Sequence, residues 1–238
     1  MAQLYTASVK KKTKSLNGHL IEMFTSPSHN YKYLSEMQQQ PFRYFILNKP
    51  FGMESQFVSP YEGDLLGDLS YDFPDGTHAI GRLDKDSEGL LLMTTDKRIT
   101  ALLFQSGVPH KRKYLVQVKH KVSEEALNRL RSGITIKIKG GVEYTTPPCD
   151  VQIVEPPVDL FPAPLQLHSN IKTSFLTITL TEGKFHQVRK MVAAVSHRCI
   201  RLIRLSIEDL HLGDVLPGEI KEIDQSAFFL QLNLERSN

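Results

Sequence analysis

The sequence predicts an α+β fold in which a large, mixed and mostly antiparallel sheet carries a few flanking helices. Short apolar or β-branched runs recur through residues 45–207, as expected for strands. Helical patterns are fewer, and they do not alternate regularly with the strands as in a doubly wound sheet. The chain has 238 residues, 40% of them hydrophobic, enough for one large domain or two small ones.

Eight runs are predicted to be strands, namely residues 45–47, 78–80, 90–95, 114–118, 134–138, 151–154, 175–180 and 200–207. Four helices are predicted. Asp96 is expected to cap a helix through residue 104, Ser123 a helix ending at Gly133, and Asp224 a helix through residue 232. The fourth helix spans residues 185–196, where valine and methionine follow helical spacing.

The positive charge lies mostly at the start of the chain. The formal net charge is +3, and residues 1–40 contain five lysines and two acids, so residues 41–238 are neutral overall. Residues 1–40 lack apolar periodicity and are predicted to be a flexible basic tail, with residues 41–238 as the folded domain. Within that body, residues 111–121 carry five basic groups and residues 182–204 carry six. These two stretches form one positive surface if the fold brings them together.

Several classes of protein are not expected. No apolar run is long enough for a membrane-spanning helix, and no secretory signal is recognisable, so the protein is expected to be cytoplasmic. Cys149 and Cys199 lie far apart without paired histidines, so no metal site or disulfide framework is expected. The sequence also lacks the phosphate-binding, dinucleotide-binding and serine-hydrolase motifs, and no cofactor is expected.

Residues 81–96 read GRLDKDSEGLLLMTTD, a charged loop rich in small residues next to an apolar strand. Functional side chains are often held in this way on a rigid support. On physical grounds alone the segment is equally compatible with a structural turn in which Asp84 and Asp86 bond backbone amides.

This segment resembles the Gly-Arg-Leu-Asp signature of the RsuA-type pseudouridine synthases, which modify ribosomal RNA. Three further blocks match in the same order: NKPFG at 48–52, Tyr114, and EGKFHQVRKM at 182–191 followed by LIR at 202–204. The resemblance implies that residues 41–238 form a catalytic domain with the pseudouridine synthase fold and a central active-site cleft. It also implies an isomerase that converts one uridine of ribosomal RNA to pseudouridine, without a cofactor.

By the same resemblance Asp84 is the catalytic carboxylate, and Arg82, Tyr114 and Arg189 support it. We expect Arg189 to pair with Asp84, because a nearby cation keeps a carboxylate ionised in a dry site. The target uridine must leave its stack, with Arg82 filling its place and Tyr114 stacking on the uracil. A core tyrosine and a solvated helix arginine are the alternatives at Tyr114 and Arg189. RNA contacts are assigned to Lys49, Arg112, Lys184, His186, Gln187, Lys190 and Arg204; for His186 a structural role is the alternative.

Two positions depart from the family pattern: Arg112 replaces a lysine and Ser196 an expected glycine. The polar residues 1–40 are not expected to form the S4 RNA-binding domain that many members carry. The chain thus resembles the shorter members, which act on 23S ribosomal RNA of the large subunit, and a monomer is expected. The alternatives are a catalytically silent RNA-binding or ribosome-assembly protein, and a glycosidic-bond hydrolase with Asp86 as second acid.

Overall fold

This computed structural model describes residues 41–165 and 170–234. The predicted tail at residues 1–40 lies outside the described residues. The strands of the described part are β1 Tyr44–Lys49, β2 His78–Ile80, β3 Glu88–Thr94, β4 Arg112–Lys119, β5 Thr135–Lys137, β6 Glu143–Thr145, β7 Asp150–Val154, β8 Thr173–Leu180, β9 Cys199–Ile207, β10 Leu210–His211 and β11 Ile220–Ile223. One sheet has the strand order β11-β1-β3-β9-β4-β8-β7, with β10 paired to β9 and β2 to β3. A separate hairpin pairs β5 with β6.

The predicted α+β class is confirmed. Among the described strands every pairing is antiparallel except that of β3 with β9. All eight predicted strands are present with ends shifted by a few residues, whereas β6, β10 and β11 were not predicted. These three strands are short, and both β6 and β11 lack a continuous buried face, so they offer no apolar alternation to detect.

The described residues form four α-helices: α1 Arg98–Phe104, α2 Glu124–Arg131, α3 Gln187–Ala194 and α4 Gln225–Gln231. Ser123 caps α2 by accepting a hydrogen bond from the backbone of Ala126, and Asp224 caps α4 in the same way. Asp96 accepts a hydrogen bond from the backbone N–H of Arg98 at 3.0 Å. None of the helices in the described ranges has the length and apolar character needed to cross a lipid bilayer.

Helix α3 is shorter than predicted, because a left-handed residue precedes it and another follows it. His186 has φ of 54° and Ser196 has φ of 65°, and neither conformation can continue a right-handed helix. Ser196 therefore occupies the position where a glycine commonly ends a helix without strain. The apolar face of α3 packs with α2 against β4, β7 and β8.

The centre of the sheet is buried on both faces. Alternate residues of β1 belong to two different hydrophobic clusters, Tyr44 and Ile46 to one and Phe45 and Leu47 to the other, which explains why β1 reads as a continuous apolar run. Strand β3 lies next to β1 and changes its other neighbour along its length. Its start pairs with β9, whereas residues Leu92–Thr94 pair with β2.

The contact between β3 and β9 requires a glycine. Gly89 pairs with Arg204, and a Cβ at Gly89 would lie 2.4 Å from the carbonyl oxygen of Arg204. Gly89 also has φ of 98°, which disfavours any other residue. The two strands therefore approach closely just after the loop of residues 81–87, which we call the Asp84 loop.

Candidate active site

The Asp84 loop is anchored at the residue before its central carboxylate. The Ser55 hydroxyl donates to the carbonyl of Leu83 at 2.8 Å and accepts from its N–H at 3.0 Å. The Leu83 side chain is buried in an apolar cluster, and the N–H of Ser87 donates to the carbonyl of Asp84. The backbone on both sides of Asp84 is thus fixed, while its side chain remains 30% exposed.

Lys49 supports the Asp84 loop from inside the protein. Its fully buried ammonium donates to the carbonyls of Pro50 at 2.8 Å, Met53 at 2.6 Å and Lys85 at 3.3 Å. Burial lowers the pKa of Lys49 to about 8, although the carboxylates of Glu88, Asp86 and Asp84 act in the opposite direction. Lys49 therefore connects the end of β1 to the Asp84 loop.

A buried ion pair fixes the other end of the loop. The guanidinium of Arg201 on β9 donates to both carboxylate oxygens of Glu88, at 2.8 and 2.9 Å, and both side chains are almost fully buried. Arg201 also donates to the carbonyls of Phe161 and Pro162. One guanidinium thus joins the start of β3, strand β9 and the segment before residue 166.

The prediction that Asp84 forms an ion pair with Arg189 is wrong. Arg189 instead donates to the carbonyl of Asp86 at 2.7 Å and lies 3.4 Å from the Ser87 hydroxyl. Among the described residues, the basic side chain that faces Asp84 is His186, with 3.5 Å between Oδ1 of Asp84 and Nε2 of His186. The reason is geometric: Arg189 meets the backbone at the end of the Asp84 loop, whereas His186, at the start of α3, faces the carboxylate.

A cleft of about 530 Å³ opens beside the loop. It is lined by Arg82, Asp84 and Tyr114 and by the segment from Glu182 to Val188, with further contributions from residues 54–56 and from Leu180 and Leu202. This brings three of the predicted central residues into one cavity. Arg82 is exposed and Tyr114 is half-buried, and Arg189 does not line this cleft.

Tyr114 lies next to a buried arginine. Strands β4 and β9 pair Tyr114 with Arg204, whose Nε donates to the carbonyl of Leu90 at 2.7 Å. One terminal nitrogen of Arg204 has no hydrogen-bond partner among the described residues. Burial lowers the pKa of Arg204, and the nearby Tyr114 hydroxyl partly offsets this effect.

The opposite side of the cleft carries exposed cations; we call residues 182–190 the cationic wall. Glu182 accepts hydrogen bonds from the Tyr144 hydroxyl and from the Gln187 amide, and the carbonyl oxygen of the Gln187 side chain accepts the N–H of Lys184 at 2.8 Å. The Lys184 ammonium is exposed and lies 4.9 Å from the centre of the Tyr144 ring. The hydrogen bonds within the cationic wall therefore engage the carboxylate of Glu182 and leave the ammonium of Lys184 accessible.

Four of the seven residues predicted to contact RNA are buried in the protein, so their predicted role is corrected. Lys49, Arg112, Gln187 and Arg204 are each less than 9% exposed, and all four donate to protein groups. Such side chains cannot reach a phosphate without a rearrangement. The three remaining residues, Lys184, His186 and Lys190, are exposed or half-exposed.

The two basic stretches do meet, because β4 pairs with β9. At that contact, however, Arg112, Arg201 and Arg204 are buried, so these arginines stabilise the sheet and do not form the predicted positive surface. Ser55, Glu88 and Arg201 were not predicted as site residues. For Glu88 a signal was present, since it is the one charged residue of β3 and buried charges are normally paired.

The comparisons with known proteins agree with this architecture. Residues 43–194 match the family model described as RNA pseudouridylate synthase. The chain is 38% identical over 181 residues to ribosomal large subunit pseudouridine synthase E of Vibrio parahaemolyticus, covering 75% of this chain and 72% of that protein. It is 33% identical to the protein of the same name from Xanthomonas axonopodis pv. citri, covering 72% and 89%.

Among solved structures, a crystal structure of pseudouridylate synthase superposes with a TM-score of 0.65 at 25% identity, covering 84% of this chain and 75% of that one. The family model covers well over half of the chain and includes the Asp84 loop, Tyr114 and the cationic wall. The chain therefore belongs to the RNA pseudouridylate synthase family of isomerases.

Proposed function

We propose that this chain isomerises one uridine of 23S ribosomal RNA, in the large ribosomal subunit, to pseudouridine, with Asp84 as the catalytic carboxylate. The observation that carries the proposal is the position of Asp84. It is a partly exposed carboxylate at the edge of a cleft, on a loop whose backbone is held on both sides. Such preorganisation is what a group acting on a reacting atom requires.

The cleft suits a single flipped nucleotide. Its volume of about 530 Å³ falls within the usual range of small-molecule sites. Tyr114 offers a ring for the uracil to stack on, and Arg82, which is exposed at the same cleft, is available for a phosphate or for the space the base has left.

The reaction rearranges bonds within one nucleotide. The bond between uracil N1 and ribose C1′ breaks, the base turns, and C5 bonds to C1′ while the proton on C5 leaves and N1 gains one. A carboxylate near the sugar assists either by attacking C1′ or by removing a ribose proton. Both roles need Asp84 ionised, and His186 at 3.5 Å is its facing polar group.

Two features weigh against a hydrolase. A glycosidic-bond hydrolase needs a second carboxylate to direct water, and Asp86, the near candidate in the motif, does not line the cleft. The other two acids at the cleft are engaged, because Glu182 bonds Tyr144 and Gln187 and Glu54 bonds Gln56. A rearrangement that excludes water is therefore favoured.

Large-subunit ribosomal RNA is proposed as the substrate because the two sequence relatives described above carry that substrate in their names. We place the reaction in the cytoplasm and assign the phosphate contacts to Lys184, His186 and Lys190, the accessible members of the cationic wall.

The test is a deletion strain in which pseudouridines of ribosomal RNA are mapped by carbodiimide-dependent primer-extension stops. Loss of one site in 23S RNA, restored by the wild-type chain and by Asp86→Asn but not by Asp84→Asn, is the expected result. Asp86→Asn is the matched control, because it removes the same charge two residues away. The proposal fails if no site disappears or if Asp84→Asn restores it. Loss of a site in another RNA would refute only the substrate.

A further inference from the structure

Phe185 is exposed where an apolar side chain is not expected. Its side chain is 63% accessible although it lines the cleft. The Phe185 ring is stacked on the ring of His186, with 3.8 Å between the ring centres and 21° between the planes. His186 in turn faces Asp84. A flat, partly uncovered aromatic pair therefore lies beside the proposed catalytic carboxylate.

The Phe185 side of the stacked pair also carries positive charge. The Lys190 ammonium lies 5.2 Å from the centre of the Phe185 ring, and the exposed Lys184 precedes it in the chain. Two acids lie near the pair: Asp84 faces His186 at 3.5 Å, and Glu182 accepts hydrogen bonds from Tyr144 and Gln187. The ligand chemistry that matches an aromatic face flanked by cations is a flat base on an anionic backbone.

We propose that Phe185, backed by His186, is a stacking platform for an unpaired base of the RNA strand, distinct from the target uracil assigned to Tyr114. A nucleotide whose base stacks on Phe185 places its backbone phosphates near Lys184 and Lys190. Lys190 then leaves the face of the Phe185 ring and binds a phosphate. This inference rests on the proposed function in one respect: it takes the RNA strand that binds the platform to be the substrate RNA. It accounts for an exposed phenylalanine that no hydrophobic cluster of the described residues includes.

The chain contains no tryptophan, so Phe185→Trp provides a single fluorescent probe at the platform. The emission is expected to be quenched when the protein binds a ten-nucleotide oligouridylate, because a stacked base contacts the indole. An abasic ribose-phosphate strand of the same length is expected to bind through charge without quenching. Phe42→Trp is the matched control, since Phe42 is also exposed with a cation, Arg98, 4.9 Å from its ring centre but does not line the cleft.

Affinity gives a second measurement. Because a base stacked on an aromatic ring contributes to affinity, Phe185→Ala is expected to raise the Kd for oligouridylate by about 5-fold to 150-fold, equivalent to about 1–3 kcal/mol, with no change for the abasic strand. Phe42→Ala is expected to leave both values within about twofold. Equal quenching by both strands, or wild-type affinity in Phe185→Ala, overturns the platform. Quenching without isomerase activity overturns only the proposed function, and activity without quenching overturns only the platform.

Discussion

The two sides of the cleft use charge in opposite ways. On the side of the Asp84 loop, the charges of Lys49, Glu88 and Arg201 are buried, and they bind carbonyls and one another. On the cationic wall, Lys184 and Lys190 remain accessible to solvent. The same residue types therefore fix a loop on one side and are available to a ligand on the other. The difference lies in burial, which a motif match does not report.

The largest effect is expected at the buried ion pair. Glu88→Gln and Arg201→Met should each lower the free energy of unfolding by about 3–5 kcal/mol, because each leaves a buried partner without its counter-charge. The exposed pair of Arg43 and Glu222 is the control, and Glu222→Gln should cost less than about 1 kcal/mol. Urea denaturation measures all three variants. Equal losses at Glu88 and Glu222 would contradict the assigned difference between buried and exposed charge.

The next effect concerns the glycine that lets β3 approach β9. Gly89→Ala should destabilise the protein by about 2–4 kcal/mol, because its Cβ meets the backbone of Arg204 and its φ is positive. Gly183→Ala, on the cationic wall, is the control, since nothing lies within 4 Å of its Cβ and its φ is not positive. Thermal unfolding compares the two variants, and similar melting temperatures would show that the strands do not need this close contact.

Lys49 provides a prediction that depends on pH. Its folded pKa of about 8 lies below the ordinary value of 10.5, so the unfolded chain binds more protons between these values and stability should rise with pH there. We expect the free energy of unfolding of the wild type, relative to Lys49→Met, to increase by about 2–3 kcal/mol from pH 8 to pH 10.5. Urea titrations at both pH values test this. A constant difference would mean that Lys49 keeps its ordinary pKa.

The smallest effects belong to the cationic wall and concern RNA alone. Lys184→Met and Lys190→Met should each reduce the log–log salt slope of RNA binding by about 0.7, the value for one single-strand phosphate contact. Lys49→Met, from the buried side, and Lys221→Met, on the exposed edge strand β11, should leave the slope unchanged. Fluorescence anisotropy over a range of salt concentrations measures it. A reduced slope in Lys49→Met would remove the distinction between the two sides.

The sequence allowed much of the fold to be predicted, because strands buried on one or both faces carry continuous or alternating apolar patterns. Short strands such as β6 and β11 carry neither pattern, and β10 has only two residues. The limits of α3 were missed for a different reason. Backbone conformation ends it at His186 and Ser196, and neither residue type signals a left-handed turn as glycine does.

The residues that meet in the candidate site could be predicted from the sequence, but their partners and their burial could not. Proximity in the cleft could be inferred for Arg82, Asp84 and Tyr114 from the resemblance. The partner of Asp84 could not, because the direction in which Arg189 points depends on how α3 packs against β9. Burial was the other missing quantity: Arg204 and Lys184 both read as basic residues of a family motif, yet one is 3% exposed and the other accessible.

In the proposed function Asp84 acts in catalysis, while the cationic wall binds RNA. Single-turnover tritium release from ribosomal RNA labelled at uridine C5, measured together with RNA affinity, tests this directly, because the reaction expels the hydrogen on C5. We expect Asp84→Asn to bind RNA as well as Asp86→Asn does but to release no tritium, whereas Asp86→Asn releases it at nearly the wild-type rate. Tritium release by Asp84→Asn at the rate of Asp86→Asn would contradict a catalytic role for Asp84.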